Sequence, residues 1–258
     1  MNTIKEVYNY REMIFNLVRK DLRGRYKGSV LGFLWTFINP LFQLIIYTLV
    51  FSYILKNDIE KYYLFLFVAL IPWNFFSAAL TGGSIAILGQ KDMVKKIYFP
   101  REVLPIAYVS SCFVNMLYCF VVVFAVVFMS GVRPSIVSLL YLPLIMMIEY
   151  VLALGIAFIS SAITVYFRDF EHILGIISMG WMFLTPIMYS IEIVPLKYQR
   201  IFSFNPMTPV IRAYRDILYY GRPPHIRTLT SATILGVIVL LFGWFLFGKL
   251  KRGFVEEM

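Results

Sequence analysis

Residues 30–55 read VLGFLWTFINPLFQLIIYTLVFSYIL, twenty-six residues without a charge. A bilayer-spanning helix needs roughly 20 consecutive, mostly apolar residues, so this run is long enough to cross a membrane. The segment before it, 9–27, is NYREMIFNLVRKDLRGRYK. There Tyr10, Ile14, Leu17, Val18 and Leu22 recur at helical spacing, with Arg11, Arg19, Lys20, Arg23 and Lys27 largely on the other side. Such a basic amphipathic helix is suited to lying in the membrane interface, or else to packing on a partner. The first 29 residues hold no apolar signal-peptide core, so the first run is expected to remain as an uncleaved anchor.

The pattern repeats outward from this point. Of the 258 residues, 60% are hydrophobic and 15% charged, against about a quarter charged in a soluble domain. Further apolar runs fall at 62–88, 103–129, 136–167, 173–190 and 228–247. The reading is an all-α integral membrane protein of six transmembrane helices. Pro40 is expected to kink the first, and Thr81-Gly82-Gly83-Ser84 to loosen the end of the second. The fourth is long enough to tilt or to extend beyond the bilayer. Thr208 is expected to cap a helix beginning at Pro209, with Val210, Tyr214, Ile217 and Leu218 as its apolar stripe and Gly221 as its stop. That makes 191–227 an outer-surface helical hairpin.

The net charge of +10 would suggest nucleic acid in a soluble protein. Here the basic residues flank apolar runs, which points to membrane topology and away from nucleic-acid binding. Seven Lys and Arg precede the first run; Lys91, Lys95, Lys96 and Arg101 follow the second; Lys249, Lys251 and Arg252 follow the last. Six spans with both termini cytoplasmic fit this distribution. The 191–227 segment does not, since it carries Lys197, Arg200, Arg212, Arg215, Arg222 and Arg227 on the outer side. Placing it inside would make the fifth span re-entrant and move the C-terminus outside.

Catalytic constellations are absent. The chain has no GxxxxGK[ST] loop for ATP, no HExxH pair and no Cys-rich metal cluster. Its two histidines, His172 and His225, fall near span ends on opposite sides. Cys112 and Cys119 lie about two helical turns apart, too far for a disulfide in a regular helix. Glu149 is the one carboxylate deep within an apolar run; it is a coupling acid or channel-lining group, or a structural hydrogen-bond partner. Trp35, Tyr47, Trp73, Phe76, Trp181 and Tyr189 have rings fit to stack on sugar faces, and equally fit to pack helices.

Ordered motifs carry a family resemblance. The stretch from Lys20 to Trp35, KDLRGRYKGSVLGFLW, running on to Asn39-Pro40-Leu41, resembles the start of ABC-2-type polysaccharide export permeases, the membrane subunits that export O-antigen, teichoic acid or capsule-type glycans. Ile71-Pro72-Trp73-Asn74-Phe75-Phe76, Lys95-Lys96-Ile97-Tyr98-Phe99-Pro100-Arg101, Phe167-Arg168-Asp169 and Asn205-Pro206-Met207-Thr208-Pro209 resemble later parts of the same family, in order. The resemblance covers essentially the whole chain as a single transmembrane domain, 1–258.

It implies a homodimer in the bacterial cytoplasmic (inner) membrane, joined by two ABC ATPase subunits that hold the ATP and Mg; this chain binds no cofactor or metal. It implies a glycan carried on a polyprenyl pyrophosphate lipid. It further implies that 9–27 is a gate helix, that 91–102 is the coupling segment and that 191–227 caps the channel. Lys91, Asp92, Lys95, Lys96, Tyr98 and Arg101 would then meet the ATPase. Arg19, Lys20, Arg23, Arg25 and Lys27 would meet the lipid headgroup, unless they serve only as topology anchors. The rival readings are a permease for a drug or small lipid, a lipid-sugar transferase and an ion-coupled flippase. The transferase would need clustered acids or metal ligands, and the flippase more charges within its spans.

Overall fold

The computed structural model describes residues 3–25, 27–54 and 58–258, without the side chains of residues 3, 4, 53 and 200. Tyr26, Leu55 and Lys56 therefore lie outside the described residues, as does the side chain of Arg200. In chain order the helices are α1 (Thr3–Asn9), α2 (Arg11–Gly24), α3 (Trp35–Thr48), α4 (Tyr62–Ser84), α5 (Lys91–Lys96), α6 (Val103–Met129) and α7 (Ile136–Tyr166). They continue as α8 (Phe170–Phe183), α9 (Leu196–Phe204), α10 (Met207–Leu218), α11 (Ile226–Leu250) and α12 (Phe254–Glu257). No strand occurs among the described residues. An all-helical answer is what long apolar segments must adopt, because helices satisfy every backbone polar group internally.

Five helical stretches are long and apolar enough to cross a bilayer: 32–52, 62–84, 103–129, 136–166 and 226–257. The fifth expected span, 173–190, appears as α8, fourteen residues and about 21 Å long, less than a bilayer core of about 30 Å. Thr185, Pro186 and Ile187 follow it and are buried, so the chain leaves the helix into protein. α3 continues through Pro40 and passes into a π-helical turn at Leu49–Ile54.

α4 is the hub, with side chains buried around most of its circumference against α6, α7, α8 and α10. α7 and α11 make the most extensive pairing in the fold. A Cβ on Gly243 would stand 2.3 Å from the carbonyl oxygen of Gly155, so the two glycines let the backbones touch. The Thr81-Gly82-Gly83-Ser84 stretch is likewise a packing device and not a loose end. A Cβ on Gly82 would fall 1.8 Å from the Tyr108 hydroxyl, and one on Gly83 would fall 3.0 Å from Ala157.

A second apolar cluster gathers one end of the molecule. It joins Val94 and Phe99 of the 91–102 segment, Phe158 of α7, Phe247 of α11 and Phe254 of α12. Tyr10, Met13, Ile14 and Leu17 pack on it. One side of α2 thus rests on protein, along α6, while none of its side chains is fully buried. The N-terminal helices, the 91–102 segment and the C-terminal tail share this end, and the Lys251 ammonium lies 2.6 Å from Glu102.

Candidate functional site

At the clustered end, α5 is anchored by Val94 and Phe99, which are 1% and 2% exposed. Lys91, Asp92, Lys95 and Lys96 remain exposed, and Ile97 and Tyr98 project beside them. Arg101 turns back instead, its guanidinium 5.0 Å from the Phe99 ring and 3.0 Å from the Phe99 carbonyl, and so shapes the loop. The Tyr10 hydroxyl donates to the Tyr98 carbonyl at 3.3 Å, linking α2 to this loop.

The five headgroup candidates of the 9–27 region divide into two groups. Arg19, Lys20, Arg23 and Lys27 are exposed. Arg25 reaches inward, 3.0 Å from Asp21 of the same helix end and 3.1 Å from both Ser111 Oγ and Cys112 Sγ of α6. Ser111 also donates to Asp21. Beneath α2 lies a cleft of about 510 Å³ bordered by Lys20, Asp21, Arg25 and Tyr108.

Arg25 borders a second cavity as well, of about 160 Å³, between α3, α4 and α6. Trp35, Asn39, Gln43, Asn74 and Asn115 line it, and the buried Thr36 Oγ1 beside it has no partner among the described residues. The Asn74 amide donates to Gln43 Oε1 at 2.9 Å. Gln43, Asn74 and Asn115 are half-buried and Asn39 is exposed, and each carboxamide both donates and accepts. Sequence reading for aromatic rings passed over them; their spacing, Asn39 and Gln43 one turn apart on α3, was the available signal.

The aromatic candidates are placed differently from one another. Trp35 borders this cavity and donates to Ser29 Oγ at 3.0 Å. Trp73 and Phe76 are buried, and a tilted contact from Trp73 to Phe76 followed by an edge-to-face contact from Phe76 to Trp181 joins α4 to α8. Tyr47 is half-buried against the core. Tyr189 donates to the Phe183 carbonyl at 2.6 Å. Glu149 is fully buried and accepts from Tyr214 of α10. No group of His, Cys, Asp and Glu that could hold a metal occurs among the described residues.

At the opposite end Asn205, not Thr208, starts α10. Its Oδ1 accepts from the Met207 N–H at 3.0 Å and from Trp181 Nε1 at 2.9 Å. The sequence-based cap fails because the helix begins two residues earlier, at Met207, leaving Thr208 inside the first turn. Every residue of α10 except Arg212 is buried, so this helix is sunk among α4, α7 and α11. Arg215 explains part of the basic excess in 191–227. It is 5% exposed, donates to the carbonyls of Pro186 (2.6 Å), Ile187 (2.5 Å) and Phe65 (3.3 Å), and stacks over the Phe65 ring. Burial pulls its pKa down to about 9, still charged at neutral pH. Arg222 is paired with Asp216 at 2.8 Å.

Known proteins share this whole length. The chain is 31% identical over 257 residues to a protein of Myxococcus xanthus named O-antigen export system permease protein RfbA, covering 99% of this chain and 98% of that one. A Klebsiella pneumoniae protein of the same name is 31% identical over 95% of this chain and 94% of its own. The polysialic acid transport protein KpsM of Escherichia coli is 23% identical over 88% and 89%. Residues 12–219, from α2 to just past α10, match the ABC-2 type transporter family, and the chain belongs to that family.

Proposed function

We propose that this chain is the membrane-spanning permease subunit of an ATP-driven exporter that carries a lipid-linked surface polysaccharide, of the O-antigen kind, across the bacterial cytoplasmic membrane. The observation that carries this reading is end-to-end kinship with proteins named for O-antigen export, at about a third identity. In this reading α8 is a short fifth span, both termini lie in the cytosol and two copies enclose the passage. α5 with Ile97 and Tyr98 is the coupling surface for an ABC ATPase, whose ATP and Mg drive the cycle. α2 is the gate helix, and the cleft holding Lys20 and Arg25 receives the pyrophosphate of a polyprenyl carrier. The hairpin at 191–227 caps the far side.

The carboxamide-lined cavity supports a glycan cargo. Asn39, Gln43, Asn74 and Asn115 offer paired donors and acceptors to sugar hydroxyls, with the Trp35 ring beside them. The test is copurification of the tagged chain from its native membrane, followed by reconstitution in proteoliposomes. An ATPase subunit in equal amount, and export of a polyprenyl-linked glycan that stops when ATP is withheld, is the expected result. A stable chain with no ATPase partner overturns the reading.

A further inference from the structure

We infer that the cleft between the first turns of α10 and α11 binds a phosphate-bearing group, the headgroup of an anionic lipid in the leaflet at that end. On the proposed topology, with both termini cytosolic, α11 places this cleft on the far side. Its C-terminal end is tied to the coupling end through Lys251 and Glu102, and its 25 residues put Arg227 about 37 Å away. Basic residues are ordinarily kept off that side of a membrane. Arg215 is accounted for by the carbonyls it bolts together, and Arg222 by its pairing with Asp216. Arg212 and Arg227 are exposed, and neither joins an ion pair among the described residues.

Both arginines border one cleft of about 510 Å³, with Ser203, Thr208, His225 and Ser231, and no acid among the described residues lines it. Thr208 is 4% exposed, and its Oγ1 is buried without a partner among the described residues. A buried hydroxyl in that position is a ligand group lacking its ligand. The N-terminus of α11 adds its open N–H groups, because His225 gives it no side-chain cap. Two guanidinium forks, a hydroxyl and a helix N-terminus together match a tetrahedral anion. Arg227 and Ser231 stand in the first two turns of a helix long and apolar enough to cross a bilayer, the part of such a helix that meets lipid headgroups. The proposal does not depend on which cargo the permease carries.

The test uses the full chain in nanodiscs with a photoactivatable phosphatidylglycerol, adducts being mapped by peptide mass spectrometry. Adducts within residues 203–231 are expected, with few from a phosphatidylcholine analogue. R212Q/R227Q should reduce them at least about tenfold, while R212K/R227K keeps most of them. T208V should reduce them about threefold with no loss of melting temperature, since the hydroxyl has no partner to lose when the cleft is empty. Suppression by millimolar inorganic phosphate would show that free phosphate enters the same cleft; no suppression would assign it to lipid alone. Adducts absent from 203–231, or unchanged in R212Q/R227Q, overturn the proposal.

Discussion

The Tyr214 hydroxyl donates a 2.6 Å hydrogen bond to Glu149 Oε2, joining α10 to the middle of α7 in a site closed to solvent. This gives the mid-span acid a structural partner. Glu149→Gln keeps an acceptor for Tyr214 and is expected to retain most transport. Tyr214→Phe should cost about 1 kcal/mol, read as a lower melting temperature. Complete loss of transport in the Gln variant, at normal abundance, would return Glu149 to the ion-coupling role.

Gly243 and Gly155 set the approach of α7 and α11. Gly243→Ala places a methyl 2.3 Å from a backbone oxygen, which no rotamer change relieves. A loss of about 2 kcal/mol or more is expected in thermal unfolding. Gly248→Ala, on the same helix with nothing within 4 Å, should be neutral or slightly stabilising. Equal effects at the two positions would mean that helix propensity, not close packing, selects these glycines.

Arg215 holds the end of α8, the top of α4 and α10 together through three carbonyls. Arg215→Met strands the Pro186 and Ile187 carbonyls and should destabilise by about 3 kcal/mol. Arg215→Lys should not restore the fold fully, because one ammonium cannot reproduce the guanidinium fork. Full rescue by Lys in a melting experiment would show that charge alone matters.

The coupling surface combines basic and apolar groups. Lys95→Glu with Lys96→Glu should weaken ATPase copurification, and Tyr98→Ala with Ile97→Ala should weaken it independently, both with unchanged folding because these side chains are exposed. Val94→Asp, by contrast, should unfold the end cluster. Unchanged ATPase recovery in both exposed pairs would remove the coupling role from this segment.

The carboxamide cavity predicts that Asn39→Leu and Asn74→Leu slow export at normal abundance. Loss of the Asn74–Gln43 hydrogen bond costs little stability, since both partners border a cavity. Export that falls only in proportion to protein level would make these amides ordinary helix contacts.

Much of the architecture was legible from residue order. Apolar runs near 20 residues or more located the four longest helices, because a helix in lipid has one way to satisfy its backbone. The 91–102 segment was legible from its charges and Pro100. Arg25 and Arg101 were not separable from their neighbours, because a basic residue in a run looks alike whether it faces water or turns inward to Asp21 or Phe99. The start of α10 was misplaced for a comparable reason. Thr208-Pro209 is a sound local signal, but Asn205 is also held by Trp181 and by the Leu184 carbonyl, and that tertiary arrangement moves the cap upstream.

By itself the sequence determined an all-helical membrane chain, the order of its segments and its family, since hydropathy, charge bias and ordered motifs are properties of neighbours along the chain. Only the tertiary structure decided that α2 packs on the end cluster, that Trp73 and Phe76 join helices, and that carboxamides from three helices meet in one cavity. Each of these depends on which faces of separate helices come together, and side chains at similar spacing present the same pattern to protein, lipid or a passage until their neighbours are in place.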